Sequence, residues 1–230
     1  VELVTSYLEN YQNSKIFNPQ AKIALHYSKV LDHLNGKNTD PITLEVDPSN
    51  ACNHSCPFCI SGHIHLSKFK GTEFFDRRIM DENTLMSLCK DVISMDIDSL
   101  TWTGGGEPTM NPHLKKAMNF INSKSKIKMG MFSNGSMLTK FDLFEVIINT
   151  LSWIRISIDA GSPSSYDKLR VTNKSNNFET VIKNIKKLIE IKKRHKSKIV
   201  IGVGFVVSKD NYQEIADFAK LFKNIDVDYC

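Results

Sequence analysis

Long apolar runs are missing from this sequence. A membrane-crossing helix needs roughly 18 or more apolar residues in a row, and no stretch of the 230 residues approaches that. A membrane partner is therefore not expected. An even set of cysteines is missing too. There are five, three of them within eight positions, which suits a metal better than disulfides and implies a reducing, cytoplasmic setting. No secretory signal stands near Val1, and the absence of an initial Met points to a fragment or a processed chain. No internal repeat or low-complexity segment is found, and no His or Lys stands out as an acid or base.

What is present is ordinary for a globular protein: 41% hydrophobic and 24% charged residues, with a formal net charge of +5. Much of that excess lies in Lys183–Lys198, where Lys and Arg alternate with Ile and Leu. This pattern reads as the solvated face of an amphipathic helix. No aromatic residue interleaves the basic ones, so a nucleic-acid partner is not favoured.

Residues 1–40 read as a helical lead-in ending near the Asn35-Gly36 turn, and 41–230 as a separate core domain. Strands are expected over 42–46, 98–103, 127–132, 153–158 and 199–207, with a sixth opening at Val227. Between them, Asp81 is placed to cap a helix running to about Met95. Asn111-Pro112 is placed to cap and open the next helix, and further helices are expected over 140–149, 178–194 and 211–223. Apolar strands alternating with helices imply βαβ units and a parallel sheet buried on both faces. Periodicity alone leaves open whether that sheet is doubly wound or a full or partial barrel. The chain stops inside its sixth unit.

The segment Asn50-Ala51-Cys52-Asn53-His54-Ser55-Cys56-Pro57-Phe58-Cys59 carries the chemistry. Its thiols are spaced C-x3-C-x2-C. Thiolates are soft ligands, suited to iron–sulfur clusters and zinc. A [4Fe–4S] cubane usually takes four cysteines; three local ones leave an iron without a protein thiolate. An open position is what distinguishes a catalytic metal site from a structural one. Structural zinc would want a fourth ligand, for which His54, His63 and His65 are candidates. A redox pair of Cys56 and Cys59 would leave Cys52 idle. Cys89, within a helix, reads as a small buried hydrophobe.

The loop follows directly on the first strand and has an aromatic before its last cysteine. It resembles the signature of the radical S-adenosylmethionine (SAM) superfamily, nearest the branch that makes molybdenum cofactor, coenzyme PQQ and modified peptides. The resemblance spans roughly residues 42–230. It implies a partial (β/α)6 barrel, here C-terminally incomplete. It also implies a [4Fe–4S] cluster on Cys52, Cys56 and Cys59 whose fourth iron is chelated by the methionine part of SAM. Phe58 would lie near the adenine.

Sites of parallel α/β folds collect at the carboxyl ends of the strands, and these ends are polar here. The second ends Thr103-Gly104-Gly105-Gly106-Glu107-Pro108. Glycines let a ligand approach the backbone, and a glutamate beside free carbonyls accepts from an ammonium group. No Gly-Lys-Ser/Thr follows, so this is not a phosphate loop. The stretch resembles the family's Gly-Gly-Glu motif, which implies that Gly105, Gly106 and Glu107 bind the amino group of SAM. The third strand ends Ser133-Asn134-Gly135, which is either a plain turn or part of a polar rim. The fourth ends Ser157-Ile158-Asp159, whose alternation places Ser157 and Asp159 on one face. They read as ligand groups, or Asp159 as the cap of the next helix. By resemblance this strand end contacts the ribose and methionine, and Arg170 lies near the carboxylate of SAM; the competing reading of Arg170 is an exposed helix arginine. The glycines of Gly202-Val203-Gly204 weaken a strand unless something packs closely against them. By resemblance, that is the adenine.

The implied function is that of a radical SAM enzyme. The reduced cluster cleaves SAM to methionine and a 5′-deoxyadenosyl radical, which abstracts hydrogen from an unidentified substrate. A flavodoxin- or ferredoxin-like electron donor is implied as a partner. A zinc-stabilised binding module and an electron-transfer iron–sulfur protein are the rival readings. Both leave the polar strand ends unexplained.

Overall fold

The computed structural model describes residues 25–62, 76–172 and 177–230. The chain divides into two units, Val1–Ile42 and Thr43–Cys230. In the first, helix α1 (Tyr27–Leu34) ends where Gly36 takes a left-handed φ of 76°, a conformation that costs glycine little.

The second unit is a sheet of five parallel strands: β1 (Thr43–Val46), β2 (Ser99–Trp102), β3 (Lys128–Ser133), β4 (Leu151–Ser157) and β5 (Val200–Gly204). Their spatial order is their chain order. A doubly wound sheet reverses direction at a switch point; a sequential order is that of a barrel wall. Tyr229 bridges Gly202 in parallel, so the sixth strand begins beside β5. Between the strands run α2 (Glu82–Ser94), α3 (Leu114–Lys124), α4 (Phe144–Thr150), α5 (Pro163–Leu169) and α6 (Asn177–His195), with α7 (Ile215–Ile225) after β5. No helix among the described residues is long and apolar enough to cross a membrane.

The strands bury one face almost wholly and the other in part. Met129 and Met131 of β3, Ile154 and Ile156 of β4, and Ile201 and Val203 of β5 are all buried. They join Leu85, Leu114, Ile147, Ile185 and Phe222 of the helices in one apolar cluster. Burying each such side chain contributes roughly 1.5–3 kcal/mol. On α6 the apolar stripe includes Val181, Ile185 and Leu188, while Lys183, Lys186 and Lys193 lie outside the buried set. Cys89 lies 1% exposed in α2, and burial pushes its thiol up to about 11.

Asp81 caps α2, accepting from the Thr84 N–H at 3.0 Å and the Thr84 hydroxyl at 2.6 Å. Those bonds hold its carboxyl below the usual range. A depressed folded-state pKa gives stability that is present above the unfolded value and lost as pH falls through the folded one. Asp81→Ala is therefore expected to lower the thermal midpoint at neutral pH. Its gap from the parent should close as pH drops below about 4. Melting curves across that range check it.

Several elements depart from the sequence pattern. Helix α3 begins at Leu114, not at Pro112 behind an Asn111 cap. Asn111 instead accepts from the His113 N–H at 2.8 Å, and its amide donates to the Pro48 and Met80 carbonyls. Helix α4 begins at Phe144 rather than 140, because Asp142 takes a φ of 48° and breaks the helix. Strand β5 stops at Gly204, not at 207. The Val206 N–H is taken by the Asp159 carboxylate at 2.7 Å and its carbonyl by Asn211, which leaves Val206 and Val207 more than half exposed. Helix α5 is the one that the competing readings of Asp159 and Arg170 imply, but its cap is Ser162, which accepts from Ser165 N–H, with Pro163 in the first turn.

Candidate functional site

The cysteine loop is tied off at its base. Ser49 and Ile79 form an antiparallel bridge, the Met80 N–H donates to Pro48 O at 3.0 Å, and the Asn50 N–H donates to Arg78 O at 3.1 Å. Asn50 also accepts from the Arg78 N–H. The loop docks on the post-α5 segment through Ser55 N–H to Val171 O at 2.7 Å. A tight turn from Cys56 to Gly62 then carries Cys59. Cys52, Cys56 and Cys59 line one cavity of about 460 Å³, within the usual range for a small-molecule site. Burial pushes the Cys52 thiol up to about 11 and raises that of Cys56, opposed there by Arg170.

The glycine loop after β2 shares that cavity. The Glu107 N–H donates to Ala51 O at 2.9 Å, and the Gly105 N–H to the Asp47 carboxylate at 2.9 Å. A Cβ on Gly104 would stand 3.0 Å from Ser49 O; one on Gly106 would run into the backbone of Asn50 and Ala51. Two of the three glycines therefore serve the approach of one loop to the other. At Gly105 a side chain would meet only ordinary contacts.

Glu107 is buried, at 3% exposure. One oxygen accepts from the Thr109 N–H, the Thr109 hydroxyl and the Ser133 hydroxyl; the other accepts from the Asn134 N–H at 2.7 Å. Burial raises its carboxyl above the usual range while these donors pull it down. Much of its accepting capacity is thus spent on joining β2 to β3. The second oxygen, with one donor, is the part with room for a ligand.

Ser133 and Asn134 are therefore more than a turn. Asn134 donates to Asn53 Oδ1 at 2.9 Å and lies 4.0 Å from Cys52 Sγ. Asn53 donates to Ser136 at 2.8 Å. This stitches the β3 end to the cysteine loop; sequence reasoning missed both because Asn53 is a spacer position of the thiol motif and Ser136 lies in none.

The β4 end corrects the alternation argument. Ser157 lines the cavity, but the strand has ended and Asp159 takes a φ of 60°. Asp159, at 1% exposure, is not among the lining residues. It pairs with Arg170 and accepts from Val206, while Ser162 caps the next helix. Nor is Arg170 an exposed helix arginine: its side chain is 11% exposed. It lines the cavity, with Nη1 3.7 Å from Cys56 Sγ and the guanidinium 5.5 Å above the Phe58 ring. Its buried Nε has no partner among the described residues. Phe58 also lines the cavity. Arg77 and Thr103 join them without a sequence signal.

The β5 glycines have a different neighbour from the one expected. A Cβ on Gly202 would strike the Tyr229 ring, and one on Gly204 would stand 2.7 Å from Arg155 Nε. Protein side chains are what pack against them.

His54 is buried. Its Nε2 lies 3.0 Å from Asn177 Nδ2, its Nδ1 has no partner among the described residues, and burial with the nearby Arg170 lowers its pKa to about 4. It is therefore neutral at neutral pH. His63 and His65 lie outside the described residues. Among the described residues, no three His, Cys, Asp or Glu side chains surround a single ion. A cubane spreads its ligands over separate irons, so three thiols lining one cavity fit it.

A barrel wall of parallel strands, with three clustered thiols at its carboxyl end, defines the class. Residues 46–221 match the Radical SAM superfamily, and the chain belongs to that family. Members use a [4Fe–4S] cluster and SAM. A probable GTP 3′,8-cyclase of Saccharolobus islandicus is 26% identical over 184 residues, covering 80% of this chain and 54% of that protein. The UPF0026 protein of Helicobacter pylori is 26% identical over 208 residues, 88% of this chain and 64% of that one. Streptococcus suis SuiB bound to S-adenosylmethionine superposes with a TM-score of 0.64 at 17% identity, covering 99% of this chain and 49% of that one. It shares the fold. The chain spans about half the length of the cyclases it matches.

Proposed function

We propose that the cavity is the SAM site of a radical SAM enzyme, with Cys52, Cys56 and Cys59 as the cluster ligands. When bound, the cluster supplies the electron that breaks the S–C5′ bond of SAM, yielding the radical that takes hydrogen from substrate. The observation that carries the reading is the convergence of the three thiols with Gly105, Gly106, Glu107, Ser133, Asn134, Ser157 and Arg170 around one cavity. Backbone carbonyls of the glycine loop and the lightly used Glu107 oxygen receive the ammonium group. Arg170, fixed by Asp159, offers its guanidinium to the carboxylate, and Phe58 flanks the adenine. A charged donor–acceptor pair of this kind is worth more than a neutral one. Asp159 acts by holding Arg170. The substrate-facing loops and the electron donor, a flavodoxin- or ferredoxin-like protein, are matters of the whole protein.

The test is anaerobic reconstitution with iron and sulfide, reduction, and chromatography of the products formed from SAM. Methionine and 5′-deoxyadenosine are expected. A colourless protein holding only zinc, or a brown one inert to SAM, overturns the reading.

A further inference from the structure

The inner face of the sheet carries a cation, Arg155, that pairs with no carboxylate among the described residues. Register places Gly130, Phe132, Trp153, Arg155, Ser157, Gly202 and Gly204 in adjacent rows. Trp153, Arg155, Phe132 and Ser157 are part-exposed, whereas Ile154 and Ile156 between them are fully buried on the helix side. Arg155 is thus directed into the barrel, two residues below cavity-lining Ser157, a depth of roughly 7 Å along a strand.

Phe132, the cavity-lining neighbour of Arg155 in register, lies 5.3 Å from its guanidinium. Phe132 is itself fixed edge-on to Trp153 at 4.9 Å. On the other side Gly204 leaves room for Nε, and Tyr229 covers Gly202. The Nε is buried and has no hydrogen-bond partner among the described residues. Among the described residues no carboxylate pairs with Arg155, whereas Arg170 and Arg194 each have one. The residue as a whole is part-exposed, so its fork can meet a ligand, and a ring face offsets only part of the cost of leaving its charge unpaired.

We infer that Arg155 anchors an oxyanion group of the substrate, a carboxylate or a phosphate, beneath the cosubstrate cavity. Its planar fork suits either acceptor. The assignment rests on the cavity reading above and names the chemical class of what lies below it.

Isothermal titration calorimetry on the reconstituted full chain tests this. The probes are inorganic pyrophosphate and, separately, glutarate, at ionic strength fixed with potassium chloride; which one binds separates phosphate from carboxylate. One-site binding is expected, weakened about tenfold or more in Arg155→Gln. Gly204→Ala, which crowds Nε and keeps the charge, should also weaken it. Lys198→Gln, an exposed charge removed elsewhere, should not. Circular dichroism verifies the fold; if Arg155→Gln fails to fold, Arg155→Lys and Gly204→Ala decide in its place. Binding by neither probe, or equal binding by parent and folded Arg155 variants, overturns the anchor. The isotherms do not depend on turnover. If the parent fails to cleave SAM while Arg155→Gln still loses anion binding, the cavity reading falls and the anchor stands.

Discussion

Cys56→Ala is expected to abolish cluster assembly while leaving the apo fold intact. The parent should hold about four irons per chain after reconstitution and the variant fewer than about one, since a cubane with two protein thiolates has lost a corner. The side chain stands in the Cys56–Gly62 turn, outside the apolar cluster, and its hydrogen-bond partner is Arg170. Arg170 keeps its pairing with Asp159 when the thiol is gone. Nothing that holds the sheet together is therefore removed, and the melting curve of the apo variant should overlay the parent. Cys89→Ala should do the reverse. It opens a small cavity in α2 behind β2, which destabilises by about 1 kcal/mol, and leaves iron content unchanged. Iron and sulfide analysis with thermal melts of both variants settles the matter. Full iron loading in Cys56→Ala would show that the ligand set is wrong.

The strands were legible because a buried face places apolar residues at alternate positions, as at Ile154, Ile156 and Ile158 and at Ile199, Ile201 and Val203. The same rule overran at Phe205-Val206-Val207. An apolar pattern does not show that a carboxylate 47 residues earlier takes the Val206 N–H. Asp142 ends a helical pattern by a backbone angle, and nothing in its residue type announces that. The thiol spacing was legible because it is local. The glycine loop was legible as a motif, yet two of its glycines serve loop packing, a fact that needs the position of Asn50 and Ala51. Asn53–Ser136 and Arg155–Phe132 join residues distant in sequence, and no periodicity carries such pairs.

Asp159 shows what is lost when a role is read from strand alternation. Pointing into a cavity, it would be dispensable to the fold. As placed, it is 1% exposed and answers a buried guanidinium and a backbone N–H together. Asp159→Ala should therefore destabilise the protein by roughly 3–5 kcal/mol, the usual cost of leaving one member of a buried ion pair uncompensated. Asp159→Asn keeps an acceptor for Val206 and should lose less. Urea unfolding of the apo forms measures both; the midpoint should fall with the slope unchanged. A loss below about 1 kcal/mol for Asp159→Ala would place the pair among solvent-screened surface contacts. The same change frees Arg170 to swing toward Cys56, so SAM affinity should fall even where the variant remains folded. A folded Asp159→Ala protein with parental SAM affinity would show that Arg170 needs no fixing.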